Sequence, residues 1–315
     1  MWRAAATNQH RPPLPWLVLP DGTFFSFPAS CAAFQFPSTR YYHGSCDDWL
    51  LFDHGQDGYQ LQNPFSGETM RLPGLNCVHQ AFSNSVVLAW TGIIVTVGNN
   101  KRFPNDMIMQ KMVMCPGNAV AAIVGDGWLW LRDIAFYNGK LYAVEDNGDL
   151  LEMTVCENDC TGEPMVESTI MRVIWDYTRT VLARDGVETP VMWYLLVSGG
   201  SLLMVCRVLK EDGTSVFSMF KANLASLRWS EIRSIGDDVA LFVSRWCSFV
   251  RRMSYYKLPR NRIYFLDNDD NDVCRGHHFG VYNMLDDVTY PLLPQLSELR
   301  NGRGNTPATW LVPRY

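Results

Sequence analysis

Residues 44–73 read GSCDDWLLFDHGQDGYQLQNPFSGETMRLP. The WLLF run at 49–52 is short, apolar and aromatic, which is typical of a buried strand. YQLQ at 59–62 alternates between apolar and polar residues, so this strand buries one face and exposes the other. NPFSG at 63–67 predicts a tight turn, because proline presets one dihedral and glycine accepts a positive φ. The stretch therefore predicts a three-stranded antiparallel meander.

A meander of this size cannot bury its apolar face alone, so it needs similar sheets beside it. Turn motifs that match the twist of paired strands recur along the chain. They are PDG at 20–22, NG at 138–139, NG at 147–148, GG at 199–200 and EDG at 211–213. Helix signals are sparse, and the best candidates are short, at 224–227 and 296–300.

Grouping the strands between turns predicts five sheet-sized units, with strands left over near both ends. The units are 40–74, 86–97 with 111–124, 128–155, 192–245 and 262–293, and the remaining strands lie at 14–28 and 309–312. A four-stranded blade takes about 40–45 residues, so we predict an all-β β-propeller of about six or seven blades.

The leftover strands suit a ring closed by the N- and C-terminal strands, because closure removes exposed sheet edges. We expect a single propeller domain over 14–313, preceded by a short disordered N-terminus at 1–13. The alternative is a pair of β-sandwiches. It would need a linker rich in Pro, Gly or Ser near the middle of the chain, and none stands out in the sequence.

Composition indicates a packed globular protein. Hydrophobic residues make up 47% of the 315 residues and aromatic residues 13%, which excludes global disorder. The eleven tryptophans are spread along the chain, as expected if each sheet contributes its own. The net charge is −5, so no general attraction to nucleic acid or to an anionic membrane is expected.

Several features predict an intracellular location, in the cytoplasm or nucleus. The nine cysteines are irregularly spaced, no Asn-x-Ser/Thr acceptor occurs, and the first residues lack the apolar core of a signal peptide. No apolar run is long enough to span a bilayer. Arg3 and Arg11 leave organellar import open.

A set of motifs carries a resemblance to a known family. They are PWL at 15–17, WLL at 49–51, NPFSG at 63–67, RLP at 71–73, FYNGKLYAV at 136–144, NRIYF at 261–265, GVY at 280–282 and TWLVP at 309–313. In this order and spacing the chain resembles the plant F-box-associated propellers of the KIB type, domains of unknown function behind F-boxes. The resemblance covers nearly the whole chain.

The resemblance implies a β-propeller that binds a protein for ubiquitination, while the F-box recruits the Skp1–cullin ligase. An F-box is a helical module that needs far more than the thirteen residues preceding Leu14. We therefore expect a non-enzymatic protein-interaction module with an unknown protein target. Skp1 binding is not expected without an F-box.

The sequence contains only weak candidates for metal and cofactor sites. The acidic loop DNDDND at 267–272 could bind Ca²⁺, but an EF-hand reading places Asp272 and His278 where glycine and glutamate are required. Cys274, His277 and His278 suggest zinc, yet no CxxC pair occurs in the chain. Cys156 and Cys160 form another near pair. A solvated loop and incidental cysteines are favoured, and we predict no cofactor.

No nucleophile elbow, P-loop or dinucleotide-binding glycine motif is present. A propeller enzyme would place carboxylates around its channel, and the candidates are Asp133, Glu145, Asp176 and Asp237. Carboxylates beside hairpin turns are more often turn formers, so we predict that the chain is not an enzyme. There are two alternatives: a propeller enzyme that acts on a small molecule or glycan, or a degenerate copy of the family.

The stretch RRMSYYKLPRNR at 251–262 is the best candidate for partner binding, because it interleaves five positive charges with two tyrosines. The candidate residues are Arg251, Arg252, Tyr255, Tyr256, Lys257 and Arg260. Arginine forks match carboxylates and phosphates, so the stretch could bind an acidic or phosphorylated protein segment. There are two other interpretations. The stretch could stack on single-stranded nucleic acid, or it could be a solvated loop ahead of the next strand.

Overall fold

The structure is a computed structural model, and it describes the chain in twenty stretches. They are 14–19, 22–27, 32–35, 42–46, 48–53, 59–71, 82–89, 93–100, 103–115, 118–123, 131–138, 140–145, 148–157, 164–173, 191–210, 214–244, 247–256, 258–266, 279–292 and 308–312. Most of these residues lie in β-strands, and the helical element among them is the 3-10 turn Ser254–Tyr256. No helix within these stretches is long and apolar enough to cross a membrane.

The strands have the lengths usual in globular proteins. In chain order they are β1 (Trp16–Val18), β2 (Thr23–Ser26), β3 (Ala32–Gln35), β4 (Tyr42–Cys46), β5 (Trp49–Asp53), β6 (Tyr59–Gln62), β7 (Thr69–Arg71), β8 (Phe82–Ala89), β9 (Ile93–Asn100), β10 (Phe103–Cys115), β11 (Asn118–Ile123), β12 (Leu131–Tyr137), β13 (Lys140–Glu145), β14 (Leu150–Glu157), β15 (Pro164–Val173), β16 (Val191–Ser198), β17 (Ser201–Leu209), β18 (Ser215–Asn223), β19 (Arg228–Ile232), β20 (Val239–Ser244), β21 (Phe249–Arg252), β22 (Arg262–Leu266), β23 (Phe279–Asn283), β24 (Val288–Tyr290) and β25 (Thr309–Leu311).

Within the described residues these strands form six sheets. From the first sheet to the sixth, the strand orders are β25-β1-β2-β3, β4-β5-β6-β7, β11-β10-β9-β8, β12-β13-β14-β15, β16-β17-β18-β19 and β21-β20-β22-β23-β24. The second sheet confirms the meander predicted from residues 44–73 and adds β4 to it.

The first sheet combines strands from both ends of the sequence. β1 pairs antiparallel with β25, with Leu17 opposite Trp310. The leftover strands predicted at 14–28 and 309–312 therefore do share a sheet. The predicted blade count and the closure of the ring stay predictions, as does the disordered N-terminus at 1–13, which lies outside the described residues.

Residues with a positive φ form the predicted turns. Asn138 has a φ of 50° between β12 and β13, and Gly199 and Gly200 have φ values of 53° and 68° between β16 and β17. Such left-handed residues are what two-residue hairpin turns require. In the turn of the second sheet, the Asn63 side-chain oxygen accepts hydrogen bonds from the backbone of Phe65 and Ser66. The local sequence thus determines where the hairpins form.

Neighbouring sheets contact one another mainly through their edge strands. The contacting pairs include β25 with β4, β4 with β8, β8 with β12, β11 with β15, β12 with β16 and β16 with β21, while β20 with β25 involves an inner strand. Hydrogen bonds cross some of these boundaries: Leu195 N donates to Asp133 Oδ2 at 2.7 Å, and Trp310 Nε1 donates to Val243 O at 3.3 Å. Buried apolar side chains fill the space between the first sheet and its neighbours, the second and sixth sheets, and between the fifth sheet and its neighbours, the fourth and sixth sheets.

Three expectations from the sequence are wrong in detail. The unit predicted over 192–245 is divided, because β20 belongs to the sixth sheet. The unit predicted over 128–155 lacks β15, which completes the fourth sheet. Residues 224–227 form a turn between β18 and β19 instead of a helix, because Asn223 Oδ1 accepts hydrogen bonds from the backbone of Ala225 and Ser226. The other helix candidate, 296–300, lies outside the described residues.

Candidate functional site

The candidate basic stretch lies in the sixth sheet, which contains a parallel pair of strands. After β20 the chain turns back as β21, which pairs antiparallel with β20 and places Arg252 opposite Val239. The chain then returns to start β22 on the other side of β20, in parallel, with Arg262 opposite Ala240. The start of β20, the end of β21 and the start of β22 therefore lie together at one end of the sheet.

Asp238 holds the end of β21 in place. Its backbone oxygen accepts a hydrogen bond from Met253 N at 2.8 Å. Its two carboxylate oxygens accept from Ser254, one from the backbone N at 2.6 Å and the other from the hydroxyl at 2.7 Å. A carboxylate that accepts two hydrogen bonds fixes the turn that follows β21.

Asn261 makes the return from the loop to β22 possible. It has a φ of 54°, a conformation that asparagine tolerates better than most residues. Its backbone N donates to Val239 O at 3.0 Å, and its backbone oxygen accepts from Met284 N at 3.1 Å. These two bonds tie the loop to β20 on one side and to the residue after β23 on the other.

Two arginines at this end are exposed to solvent. The side chain of Arg252, the last residue of β21, makes no ion pair or hydrogen bond in the part of the chain that the structure describes. Arg260 donates one hydrogen bond, from Nη1 to the backbone oxygen of Asp237 at 3.1 Å. Both guanidinium groups therefore keep most of their donors available for another molecule.

The other two arginines are partly buried and have packing roles. The guanidinium of Arg251 lies over the Phe249 ring, 4.9 Å from its centroid, and donates to Val250 O at 3.2 Å. Arg262 Nη1 donates to the side-chain oxygen of Asn283. We call the end of the sheet that carries these four arginines (Arg251, Arg252, Arg260 and Arg262) the basic end.

Both tyrosines of the stretch lie in the 3-10 turn, but only the side chain of Tyr256 is among the described residues. Tyr256 is half-buried, and its backbone N donates to Met253 O at 3.0 Å, which closes the 3-10 turn. Tyr255 lies within the same turn, but its side chain, like the whole of Lys257, lies outside the described residues. The six predicted residues are therefore only partly brought together at the basic end.

Of the four carboxylates predicted as catalytic candidates, the two whose side chains are described do not share a site. Asp133 is buried at a boundary between two sheets, where it accepts the hydrogen bond from Leu195 N. Asp237 is exposed at the basic end. The Glu145 side chain and the whole of Asp176 lie outside the described residues. Asp133 therefore has a structural role.

The predicted metal sites also fall largely outside the described residues. This applies to the acidic loop 267–272, to Cys274, to both histidines and to Cys160. Within the described ranges, no group of three or more His, Cys, Asp or Glu side chains could hold a metal ion.

Sequence reasoning missed two buried polar groups. Arg207 is 1% exposed, with its guanidinium 4.4 Å from the centroid of the Phe265 ring and its Nε donating to Ser215 Oγ at 2.9 Å. The buried Glu152 accepts hydrogen bonds from the side chains of Tyr142, at 2.8 Å, and Lys140. Alternation along β14 and β17 gives no signal for such groups, because their partners come from neighbouring strands.

Within the described residues, the groups with clearly shifted pKa values are buried side chains of the core. Burial raises the pKa of the Cys206 thiol to about 12. Burial also raises the pKa of Tyr264 to about 12, although the positive charge of Arg262 lowers it. The pKa values of Tyr142 and Tyr282 are raised by burial and by hydrogen bonds to the carboxylates of Glu152 and Asp287. These groups stay protonated at neutral pH and have no acid–base role there.

Alkaline pH is expected to destabilise the fold through these tyrosines. The pKa of Tyr264 rises from 10.0 to about 12 on folding, so the unfolded chain loses this proton first. The contribution of this group to the free energy of unfolding is therefore fully present below pH 10 and is lost as the pH rises towards 12. The loss is at most about 1.4 kcal/mol per pH unit for each such group. Urea unfolding followed across this range should show a steeper decline for the native chain than for Tyr264→Phe. Parallel declines would contradict this assignment.

Comparison with known proteins identifies a family. A family model described as KIB1-4 beta-propeller matches residues 24–283, well over half of the chain. A putative F-box protein from Arabidopsis thaliana is 27% identical over 111 residues, which is 35% of this chain and 26% of the relative. The chain thus spans about a quarter of the length of this curated relative.

Solved structures resemble the chain only distantly. The N-terminal domain of Nup159 is 10% identical with a TM-score of 0.32, over 85% of this chain and 70% of that one. BamB from Moraxella catarrhalis is 8% identical with a TM-score of 0.27, over 66% of each chain. AztD from Citrobacter koseri is 9% identical with a TM-score of 0.33, over 95% of this chain and 97% of that one. Scores this low carry no weight beside the family match.

Proposed function

Because the chain belongs to the KIB1-4 beta-propeller family, we propose that it is a non-enzymatic module whose basic end binds a protein target. The fold is an all-β propeller, as the sequence predicts. Propellers act as scaffolds for many functions, so the proposal has to be argued from the site. A relative named as a putative F-box protein supports protein interaction as the role.

The exposed pair Arg252 and Arg260 is the observation that carries this proposal. Hydrogen bonds hold the backbone beside each arginine: Met253 N, next to Arg252, donates to Asp238 O, and Asn261 N, next to Arg260, donates to Val239 O. The net charge of the chain is −5. Guanidinium groups recognise planar carboxylates and phosphates, often with two hydrogen bonds to each. We therefore propose that the bound segment is acidic or phosphorylated.

A protein ligand is favoured over nucleic acid on charge. Sequence-independent binding to nucleic acid depends on many phosphate contacts across a strongly basic surface. The basic end instead lies beside the carboxylates of Asp237 and Asp238, and the chain as a whole is acidic. A short acidic segment that contacts two or three arginines fits this limited positive surface.

We further propose that the target is presented for ubiquitination in the cytoplasm or nucleus. Contact with Skp1 is not expected from the propeller itself, because an F-box makes that contact. Affinity capture from native plant tissue tests this part of the proposal. Co-purification of Skp1 would indicate an F-box elsewhere in the protein or one supplied in trans, and its consistent absence would contradict a role in this ligase class.

Reversing the charges of the exposed pair is expected to weaken target binding. With Arg252→Glu and Arg260→Glu together, binding of acidic and phosphorylated peptides should fall at least about tenfold, roughly 1.4 kcal/mol. The introduced glutamates would repel the negatively charged peptide. Neither arginine side chain is part of the core, so the fold should not be affected. Binding is measured on a peptide array and then by calorimetry at low and physiological salt.

The matched control is Arg71→Glu with Arg228→Glu, which changes the net charge equally at exposed positions on two other sheets. The control should retain binding, and both variants should keep the unfolding midpoint of the native chain. Equal binding by the two double variants would contradict the proposal. Arg251 is unsuited to this test, because its half-buried guanidinium packs on Phe249.

A further inference from the structure

The basic end also contains a serine with the surroundings of a modification site. Arg251 and Arg252 precede Ser254 by three and two residues, and Ser254 is exposed at the start of the 3-10 turn. Protein kinases select their substrates partly by the pattern of charges around the acceptor hydroxyl. Two arginines just before a serine suit a kinase whose substrate groove carries carboxylates.

We propose that Ser254 is phosphorylated by an arginine-directed protein kinase and that the phosphate releases the protein target. In this reaction the Ser254 oxygen attacks the γ-phosphorus of a nucleoside triphosphate, and a new O–P bond forms. The bond from the γ-phosphorus to its bridging oxygen breaks, and the nucleoside diphosphate leaves. The hydroxyl proton passes to the catalytic base of the kinase.

The segment around Ser254 is accessible to such an enzyme. β21 is four residues long and lies at the edge of its sheet, so β20 is its partner in the ladder. Although β21 also contacts β16, Ser254 lies beyond the strand, in the turn that follows it, and is exposed. Arg252 is already exposed, whereas Arg251 must leave the Phe249 ring before a kinase can bind it.

A phosphate on Ser254 would conflict with Asp238. The hydroxyl now donates to Asp238 Oδ2 at 2.7 Å, and the phosphate would replace that donor with about two negative charges. Repulsion would separate Ser254 from the carboxylate and weaken the backbone hydrogen bond to Oδ1 as well. The turn after β21 would therefore loosen.

The same phosphate would change the charge of the basic end. About two negative charges would offset the positive charges of Arg252 and Arg260 and oppose the approach of an acidic segment. This regulatory step rests on the proposed function, whereas the modification of Ser254 does not.

Phosphorylation is tested on the full chain with the catalytic subunit of cyclic-AMP-dependent protein kinase and magnesium ATP. Mass spectrometry is expected to find close to one phosphate per chain, on Ser254. Ser254→Ala should abolish the signal, and Arg252→Gln should slow incorporation by about tenfold. Ser226→Ala, at an exposed serine with no arginine just before it, should change nothing. No phosphate on Ser254, while the kinase modifies a control peptide, would overturn the proposal.

The conflict with Asp238 is tested by thermal unfolding of the phosphorylated chain. Phosphorylation should lower the midpoint by about 2 °C or more, and this shift should disappear in Asp238→Asn, which has no carboxylate to repel the phosphate. An unchanged or raised midpoint would overturn the proposed loosening. Since neither measurement requires a partner, failure here is distinguishable from failure of the peptide-binding test.

Discussion

Replacing Trp310 by alanine is expected to lower the free energy of unfolding by about 3–5 kcal/mol. The side chain is 0% exposed, and its ring makes edge contacts with Phe27 and Phe242, with centroid distances of 6.1 and 5.1 Å. Its Nε1 also donates to Val243 O in the sixth sheet. Alanine would leave a cavity between the first and sixth sheets and would remove the hydrogen bond to the Val243 carbonyl.

Trp310 also receives support from the second sheet, since the Ser45 hydroxyl donates to its backbone oxygen at 2.7 Å. Urea unfolding followed by circular dichroism measures the loss. Trp310→Phe, which keeps an aromatic ring but no donor, should cost less than the alanine variant. Leu285→Ala, at a side chain 75% exposed, should stay within about 0.5 kcal/mol. A loss below about 1 kcal/mol for Trp310→Ala would show that the boundary between these sheets contributes little to stability.

Gly280→Ala is expected to destabilise the sixth sheet by about 1–3 kcal/mol. A Cβ at this position would lie 2.6 and 2.8 Å from two carbons of the Phe265 ring and 3.1 Å from Tyr290 O. The ring has close neighbours that oppose its displacement. It is fully buried between the Phe217 ring, with centroids 5.1 Å apart, and the guanidinium of Arg207.

A double-mutant cycle separates this clash from a general effect on the strand. Phe265→Leu removes the ring atoms that the new methyl would meet, so Gly280→Ala should cost less in that background. The four free energies of unfolding are measured in urea. Simple additivity of the two substitutions would contradict the clash as the cause, and would point instead to the backbone of β23.

The sequence predicts those parts of the fold that depend on local residues. The hairpins at Asn138 and at Gly199 and Gly200 are confirmed, because each needs left-handed residues that asparagine and glycine supply. The meander at 44–73 is confirmed for the same reason. The resemblance to KIB-type propellers is confirmed by the family match over 24–283.

The strand pairings that sequence reasoning missed are not marked by local turn motifs. β20 pairs in parallel with β22, although β21 lies between them in the sequence, and no turn motif marks such a pairing. β15 is an outer strand whose PMVESTIMRV sequence mixes polar and apolar residues without flanking Asn-Gly or Gly-Gly turns. Edge strands of this kind carry weak patterns, because only part of each face is buried.

The sequence predicts the candidate site as a charged stretch, but it does not predict which of its side chains lie on the surface. Counting charges in 251–262 finds the arginines, but it does not separate exposed Arg252 and Arg260 from half-buried Arg251 and Arg262. Burial depends on which strands surround each residue. The role of Asp238 was likewise hidden, since its contacts to Ser254 cross a hairpin.

The pairing of β1 with β25 has a consequence for the order of folding. Joining two strands from opposite ends of the sequence in an unfolded chain would cost about 5 kcal/mol of loop-closure entropy. That barrier falls only when the sheets in between have formed and brought the ends together. During synthesis, therefore, β1 emerges from the ribosome before the other described strands, but it cannot complete its sheet until β25 has emerged. Its open edge has to be kept from other chains until then.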